Sequence, residues 1–223
     1  MEPKQKHQKK NKPKFNIQLS DEQKAAKKIM LTSPVTIITG RAGSGKSLLA
    51  CQHGYDFFLR GKCSRLLLAR PAVEAGENLG FLPGDLADKL DPYLEPLKEN
   101  LSLLSSEEDI EEKIKSGDIK IFPLAFARGR TLCKEILIVD EAQNMTISQM
   151  TLILGRLGKG SQIIFTGDTQ QTDIKQRGKM NALDALKQLS ESVDGVNYIE
   201  LKENYRHELV VEMLEFCENL KHQ

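Results

Sequence analysis

A glycine-rich segment in the first quarter of the chain has the residue types and spacing that hold a nucleoside triphosphate. Its members are Gly40, Arg41, Ala42, Gly43, Ser44, Gly45, Lys46 and Ser47. Glycines let backbone N–H groups turn toward phosphate oxygens, the Lys46 ammonium can reach the β- and γ-phosphates, and the Ser47 hydroxyl is suited to Mg²⁺. The segment follows an apolar run and opens an amphipathic one, which is the strand–loop–helix setting of a Walker A motif.

Two adjacent carboxylates, Asp140 and Glu141, follow the apolar run at 136–139. Successive side chains at the end of a strand point in different directions, so the two acids can have different tasks. Asp140 is predicted to hold Mg²⁺ through its water shell, and Glu141 to orient or deprotonate the water that attacks the γ-phosphate. The second acid favours hydrolysis over nucleotide binding alone.

Short runs rich in branched apolar residues alternate with longer amphipathic runs, which predicts an α/β fold with a mostly parallel sheet flanked by helices. The predicted strands are 35–39, 65–69, 119–122, 136–139, 162–166 and 196–201. The predicted helices are 21–31, 46–59, 85–104, 107–116, 147–157, 181–190 and 208–221. Ser20 is a candidate N-cap of the first helix, with Gln23 three residues later. The segment 76–84 is predicted to be a loop, and loops of this kind on a rigid sheet often bind a ligand or partner.

Three further elements complete a set that resembles the core of superfamily-1 helicases. They are Gln23, the turn Gly167-Asp168-Thr169-Gln170, and Asn204-Tyr205-Arg206 before the last helix. The resemblance implies one RecA-like P-loop NTPase domain that binds ATP and Mg²⁺. It also implies that Gln23 reads adenine, that Gln170 senses the γ-phosphate, and that Arg206 stabilises the transition state, beside the roles of Asp140 and Glu141 given above.

A narrower resemblance, to the PhoH-like ATPases, lies in three other stretches. These are 69–85, Asp91-Pro92-Tyr93, and Phe126-Ala127-Arg128-Gly129-Arg130-Thr131. The resemblance extends from about Ser20 to the end of the sequence and implies an ATPase domain, which we assign to 15–223. The lysine-rich segment 1–14 before it is predicted to be a disordered basic tail. The sequence has no segment like the appended nuclease domain of longer members, so nuclease activity is not implied.

The function expected from this resemblance is ATP hydrolysis coupled to movement on, or remodelling of, RNA or single-stranded DNA. Arg70, Arg128 and Arg130 are the candidates for contact with the strand, because arginine binds phosphate with two hydrogen bonds and stacks on bases. The local alternative for the Arg128–Arg130 turn is a structural pairing with nearby acids and carbonyl groups. A single RecA-like domain lacks the second half of a helicase core, so we expect a homo-oligomer, with a hexameric ring as the closed form. Arg206 or Arg128 could then act on a neighbouring subunit.

Two alternatives stay open at this point. An ATP-dependent switch could change its assembly state without translocating, and the low aromatic content of 5% weakens the case for a long base-stacking surface. A small-molecule kinase is weaker, because Glu141 and the Gly167–Gln170 turn suit water activation and the sequence shows no arginine-rich lid. A GTPase is disfavoured because no guanine-reading Asn-Lys-x-Asp motif follows the P-loop.

Composition excludes several other classes of protein. With 16 glycines and 8 prolines among 223 residues, the chain is not collagenous, and its 39% of hydrophobic residues, rich in Leu, Ile and Val, exclude bulk disorder. Six lysines lie within residues 1–14, so the basic tail could contact nucleic acid or be a solvated arm.

The four cysteines are far apart in sequence and are predicted to be reduced thiols. No apolar run approaches the length of a membrane span, so we expect a cytoplasmic protein.

Overall fold

A computed structural model describes residues 17–71, 86–124, 127–169 and 180–221 of the chain. In order, the elements are α1 (Asp21–Met30), β1 (Val35–Gly40), α2 (Lys46–Leu59), β2 (Arg65–Ala69), α3 (Leu86–Ser102), α4 (Glu107–Ser116), β3 (Ile119–Ile121), β4 (Glu135–Val139), a 3₁₀ helix (Ala142–Asn144), α5 (Ile147–Leu154), β5 (Gln162–Gly167), α6 (Ala182–Ser192), β6 (Val196–Leu201) and α7 (Glu208–Lys221). The predicted tail 1–14, the predicted loop 76–84 and Gln170 lie outside the described residues.

The described strands form one sheet in the order β3-β2-β4-β5-β1-β6. Every neighbouring pair is parallel. The prediction of an α/β fold with a parallel sheet is therefore confirmed. Because parallel strands end at one edge of the sheet, the segments that follow β1, β4, β5 and β6 meet at that carboxyl edge, where such sheets bind ligands.

Two apolar cores lie on the two faces of the sheet, because neighbouring strand residues point to opposite sides. Helices α1 to α4 cover one face, to which Ile38 and Ile138 contribute. Helices α5 and α6 cover the other, to which Ile37 and Leu137 contribute. All six residues of β1 are buried. A strand that is buried on both faces has a nearly continuous apolar sequence, so β1 could be predicted from the sequence.

Several strand and helix bounds differ from the predictions by one to three residues. β4 begins at Glu135 rather than at residue 136, because the Glu135 carboxylate is buried in an ion pair with Arg130. α5 ends at Leu154 rather than at residue 157, with Gly155 as its C-cap. The capping box of Ser20 and Gln23 at the start of α1 is confirmed. No described helix is both long enough and apolar enough to cross a membrane.

Candidate nucleotide site

The glycine-rich loop joins β1 to α2 at the carboxyl edge of the sheet. Gly43 has φ +95° and Gly45 has φ +79°, both in the left-handed region that favours glycine. These conformations carry the chain from the last residue of β1 into the N-terminus of α2 at Lys46. The Lys46 side chain folds back over the loop, and its Nζ lies 3.4 Å from the carbonyl oxygen of Arg41. The loop thus has the form of a phosphate cradle with a cation held at its mouth.

The hydroxyl and carboxylate expected at a magnesium site are in direct contact. Ser47 Oγ donates a hydrogen bond of 2.7 Å to Asp140 Oδ1, and Thr166 Oγ1 donates one of 2.5 Å to the same oxygen. Asp140 is only 3% exposed, so these hydroxyls hold it in one position. Among the described residues, no group of three His, Cys, Asp or Glu side chains could hold a metal. A hydroxyl and one carboxylate instead suit Mg²⁺, which prefers oxygen ligands and takes the rest from water and phosphate.

Glu141, the second acid, occupies a strained backbone position. Its φ of 54° and ψ of 42° are left-handed, a conformation that costs a residue with a Cβ on the order of 1–2 kcal/mol. Its carboxylate is held by two side chains: Arg70 Nη2 lies 3.4 Å from Oε1, and Gln143 Nε2 donates a hydrogen bond of 2.5 Å to Oε2. Strain of this kind is common where a catalytic side chain must point in a fixed direction.

Gln143 extends these contacts to the glycine-rich loop. Its Oε1 accepts a hydrogen bond of 3.1 Å from the backbone N–H of Asp168, at the end of β5. The Asp168 carboxylate in turn accepts a hydrogen bond of 3.0 Å from the N–H of Ala42. Gln143 and Asp168 are 2% and 4% exposed. A chain of hydrogen bonds through the buried Gln143 and Asp168 therefore joins Glu141 to the glycine-rich loop.

Gln23 lies against the same loop from α1. Its Nε2 donates a hydrogen bond of 3.1 Å to the Ser44 carbonyl, and its Oε1 accepts one of 3.2 Å from the Ser20 N–H. A side chain at Gly45 would begin 2.8 Å from this Nε2. The side-chain amide of Gln23 is thus engaged on both sides, and contact with a base would replace one of these bonds.

The segment that leads from β6 to α7 packs on Gly43. The Tyr205 N–H donates a hydrogen bond of 3.0 Å to the Gly43 carbonyl. A Cβ at Gly43 would lie 2.5 Å from both Arg206 Cγ and Asn204 Oδ1. Asn204 Oδ1 also accepts a hydrogen bond of 2.9 Å from the Arg206 N–H. Arg206 therefore lies beside the glycine-rich loop of its own chain.

Tyr205 presents a half-exposed ring between this loop and the start of α1. Its side chain is 55% exposed, and its hydroxyl donates a hydrogen bond to Glu203. That hydrogen bond, together with the nearby Glu203 charge, raises the pKa of Tyr205 above its ordinary value. The phenol is therefore neutral at physiological pH and offers a flat aromatic surface.

The three arginines proposed for nucleic-acid contact have different surroundings. Arg70 follows β2 and pairs with Glu141. Arg128 is exposed beside Gly129, whose φ is +78°. Arg130 lies instead at the amino edge of the sheet, where it donates a hydrogen bond of 2.5 Å to the buried Glu135 carboxylate and stands over the Phe122 ring at 5.6 Å. These contacts favour the structural alternative for Arg130, and its contact with nucleic acid stays a prediction.

Several residues of the site carried no role in the sequence reasoning. Gln143 and Thr166 hold the two acids, and Tyr205 faces the start of α1. Gln143 could have been found from the sequence, because its side-chain amide lies two positions after the second acid and can donate to it. A threonine near the end of an apolar strand is too common to have indicated Thr166.

Comparison with known proteins identifies relatives over most of the chain. A family profile described as "PhoH-like protein" matches residues 17–218. A PhoH-like protein of Synechocystis is 45% identical over 186 residues, covering 82% of this chain and 56% of the relative. The protein PhoH of Escherichia coli is 36% identical over 156 residues, covering 69% of this chain and 44% of the relative. The chain thus spans about half the length of the curated relatives it matches.

Solved structures with low sequence identity share the fold. The large terminase of a thermophilic bacteriophage superposes with a TM-score of 0.54 at 12% identity, over 89% of this chain and 50% of the terminase. The SWI2/SNF2 ATPase core of Sulfolobus solfataricus gives 0.51 at 15% identity, over 85% of this chain and 45% of that chain. Both likenesses concern the RecA-like ATPase architecture.

Proposed function

The chain belongs to the PhoH-like protein family, and we propose that it hydrolyses ATP with Mg²⁺ and couples that reaction to movement on, or remodelling of, RNA or single-stranded DNA. The observation that carries the proposal is the Ser47–Asp140 hydrogen bond beside Lys46 and Glu141. These four side chains lie together at the glycine-rich loop, and each has a different proposed role in phosphoryl transfer.

The glycine-rich loop and Lys46 would bind the phosphates of ATP. Backbone N–H groups and the N-terminus of α2 favour negative charge at this point. Ser47 and Asp140 would hold Mg²⁺, which when bound neutralises charge on the phosphate oxygens. Lys46 is already directed over the loop, so little rearrangement is needed for its ammonium to meet a phosphate.

Glu141 is the proposed general base for the attacking water. Its carboxylate is 28% exposed, so water can reach it, and its contacts with Arg70 and Gln143 restrict its direction. A carboxylate that both orients water and accepts its proton contributes roughly 10²–10⁴-fold to a rate. Arg70 would have to release or share Glu141 when the water is in place.

Arg206 is the proposed stabiliser of charge on the γ-phosphate, and its packing on Gly43 supports an action within its own chain. Tyr205 is the proposed surface for the base, because its exposed ring lies next to the start of α1, where Gln23 is found. Gln23 would read adenine by exchanging its bond to the Ser20 N–H or the Ser44 carbonyl for one to the base.

Coupling to nucleic acid and a ring assembly complete the proposal. Arg128 is exposed, and Arg70 contacts Glu141, the proposed general base. A nucleic-acid strand bound near Arg70 could therefore change the hydrolysis rate through Glu141.

The described residues form one RecA-like sheet, so a second copy of the chain would supply the other half of a pair that grips the nucleic-acid strand. With Arg206 beside its own loop, Arg128 is the better candidate for action on a neighbour. A homo-oligomer, with a hexameric ring as the closed form, would place it there.

Steady-state ATP hydrolysis tests the proposal in the presence and absence of single-stranded RNA and DNA. Lys46→Ala should abolish tight ATP binding, whereas Lys24→Ala should not, because Lys24 is exposed and pairs with Asp21 on the surface of α1. Glu141→Gln should bind ATP normally and slow hydrolysis roughly 10²-fold or more. Its matched control is Glu111→Gln, at an exposed helical ion pair.

Each outcome separates one part of the proposal. Normal ATP affinity in Lys46→Ala would refute the nucleotide site, and unchanged turnover in Glu141→Gln would refute the role of Glu141. Hydrolysis that no nucleic acid stimulates would favour the ATP-dependent switch.

A further inference from the structure

The first turn of α1 contacts both the phosphate-binding loop and the segment that carries Arg206. Gln23 accounts for the first contact, through the Ser44 carbonyl. Its neighbour Glu22 accounts for the second: Oε2 accepts hydrogen bonds of 2.8 Å from the Lys202 N–H and 3.3 Å from the Glu203 N–H. Glu22 is about 180 residues from both of these donors in sequence, so the contact is a tertiary one.

The backbone of residues 202–206 has few other attachments within the described part of the chain. Lys202, Glu203 and Asn204 are exposed and lie beyond the end of β6, so no strand pairing holds them. The backbone of Tyr205 is tied to Gly43 and that of Arg206 to Asn204, both by single neutral hydrogen bonds. A carboxylate that accepts two backbone N–H groups forms charge-assisted bonds, which are roughly twice as strong as neutral ones. Among the described residues, Glu22 therefore makes the strongest attachment of this backbone to the rest of the domain.

We propose that Glu22 is a positioning residue for Arg206, holding the 202–206 segment so that the Arg206 side chain stays packed on Gly43 of the glycine-rich loop. This inference rests on the proposed function of Arg206. The hydrogen bonds that the Glu22 carboxylate accepts come from the Lys202 and Glu203 N–H groups, so it acts through that backbone. Because Gln23 lies on the same helical turn, a shift of α1 on base binding would be transmitted to Arg206 through Glu22.

The kinetic test compares Glu22→Ala with Asp21→Ala. Asp21 is a neighbouring carboxylate whose side chain is 96% exposed and whose partner is Lys24. Glu22→Ala should lower kcat roughly tenfold with little change in KM for ATP, since a charge-assisted hydrogen bond contributes about that factor. Glu22→Gln keeps an acceptor oxygen and should restore most of the rate. Asp21→Ala should hydrolyse ATP like the wild type.

Two further measurements separate positioning from a general structural role. In an Arg206→Ala background, Glu22→Ala should cause no additional loss, because the group through which it acts is already gone. Amide hydrogen exchange of the nucleotide-free protein should be faster at Lys202 and Glu203 in Glu22→Ala than in Asp21→Ala. This second measurement needs no hydrolysis, so it stands even if the chain proves to have no ATPase activity.

Unchanged exchange at Lys202 and Glu203 would overturn the inference whatever the activity. Faster exchange with a full additional loss of rate in the Arg206→Ala background would also overturn it, because Glu22 would then act on something other than Arg206. Faster exchange together with non-additive kinetics supports it.

Discussion

Gln143 offers a sharp test of the buried hydrogen bonds that join Glu141 to the phosphate-binding loop. Methionine has nearly the same shape as glutamine, so Gln143→Met removes two hydrogen bonds without opening a cavity. The Asp168 N–H loses its partner in a site where Gln143 is only 2% exposed. An unsatisfied buried donor costs about 1–3 kcal/mol. The Glu141 carboxylate is 28% exposed, so water can replace the lost donor at a cost below about 1 kcal/mol.

The expected loss of unfolding free energy is the sum of the two, about 1–4 kcal/mol, with a central value of about 2–3 kcal/mol. In a domain of this size, each kcal/mol corresponds to a change of about 2–4 °C in Tm, so thermal unfolding should occur roughly 5–10 °C lower. Gln149→Met is the matched control, because the same amide in the capping box of α5 is solvent-accessible. Its loss should stay near or below about 1 kcal/mol.

Turnover below the unfolding transition should also fall in Gln143→Met, because among the described residues Arg70 is then the one side chain that still holds the Glu141 carboxylate. ATP affinity should change little, since Lys46, Ser47 and Asp140 keep their contacts. Circular dichroism melts and steady-state kinetics measure the two effects. If Gln143→Met lowers Tm no more than Gln149→Met does, the reasoning on the buried network is wrong.

Three further predictions concern other parts of the chain. Gly43→Ala should lower ATP turnover sharply, because the new Cβ would lie 2.5 Å from Arg206 Cγ. In the control Gly61→Ala, the backbone φ is also positive, at +66°, but no atom lies within 4 Å of the new Cβ, so only stability should change. Equal turnover in the two variants would contradict this prediction. Burial lowers the pKa of His53, so the unfolded chain binds a proton that the folded chain does not, and the free energy of unfolding should decrease as pH falls below about 6.5. Denaturant titrations between pH 5 and pH 8, at about one-unit steps, should show this slope, and His53→Gln should flatten it. Deletion of residues 1–14 should weaken nucleic-acid binding and its salt dependence while leaving basal ATP hydrolysis intact, as binding assays over a salt series will show.

Local patterns were enough to predict most of the fold. Strand β2 and helices α2, α4 and α7 have the predicted bounds, because apolar runs, caps and the glycine-rich loop mark them in the sequence. Glu135 was missed as the first residue of β4, since a charged residue reads as a strand boundary until its buried ion pair with Arg130 is known. The 3₁₀ helix at Ala142–Asn144 is too short to leave a periodic signal.

The residue types of the site were predictable, but their connections were not. The Ser47–Asp140 contact follows from two recognisable motifs at one edge of a parallel sheet. The left-handed backbone of Glu141 has no signal in a non-glycine residue, because tertiary contacts impose it. The pairing of Arg70 with Glu141 spans 71 residues and depends on the adjacency of β2 and β4, which the sequence does not state.

The order of the sheet also constrains how this family can vary in length. β5, β1 and β6 are neighbours, with Thr39 opposite Gly167 and Gly40 opposite Leu201, so their ends carry Asp168, the phosphate-binding loop and the Arg206 segment side by side. Inserting one residue into any of these strands would shift its end by about 3.3 Å, and misplacement by even 1 Å can cost about 10²-fold in rate. The turns at Gly160 and Gly195 precede β5 and β6 at the opposite edge of the sheet, so a change of length there would not shift the site residues. Insertions and deletions among homologues should therefore accumulate at strand entrances and be absent from these three strands.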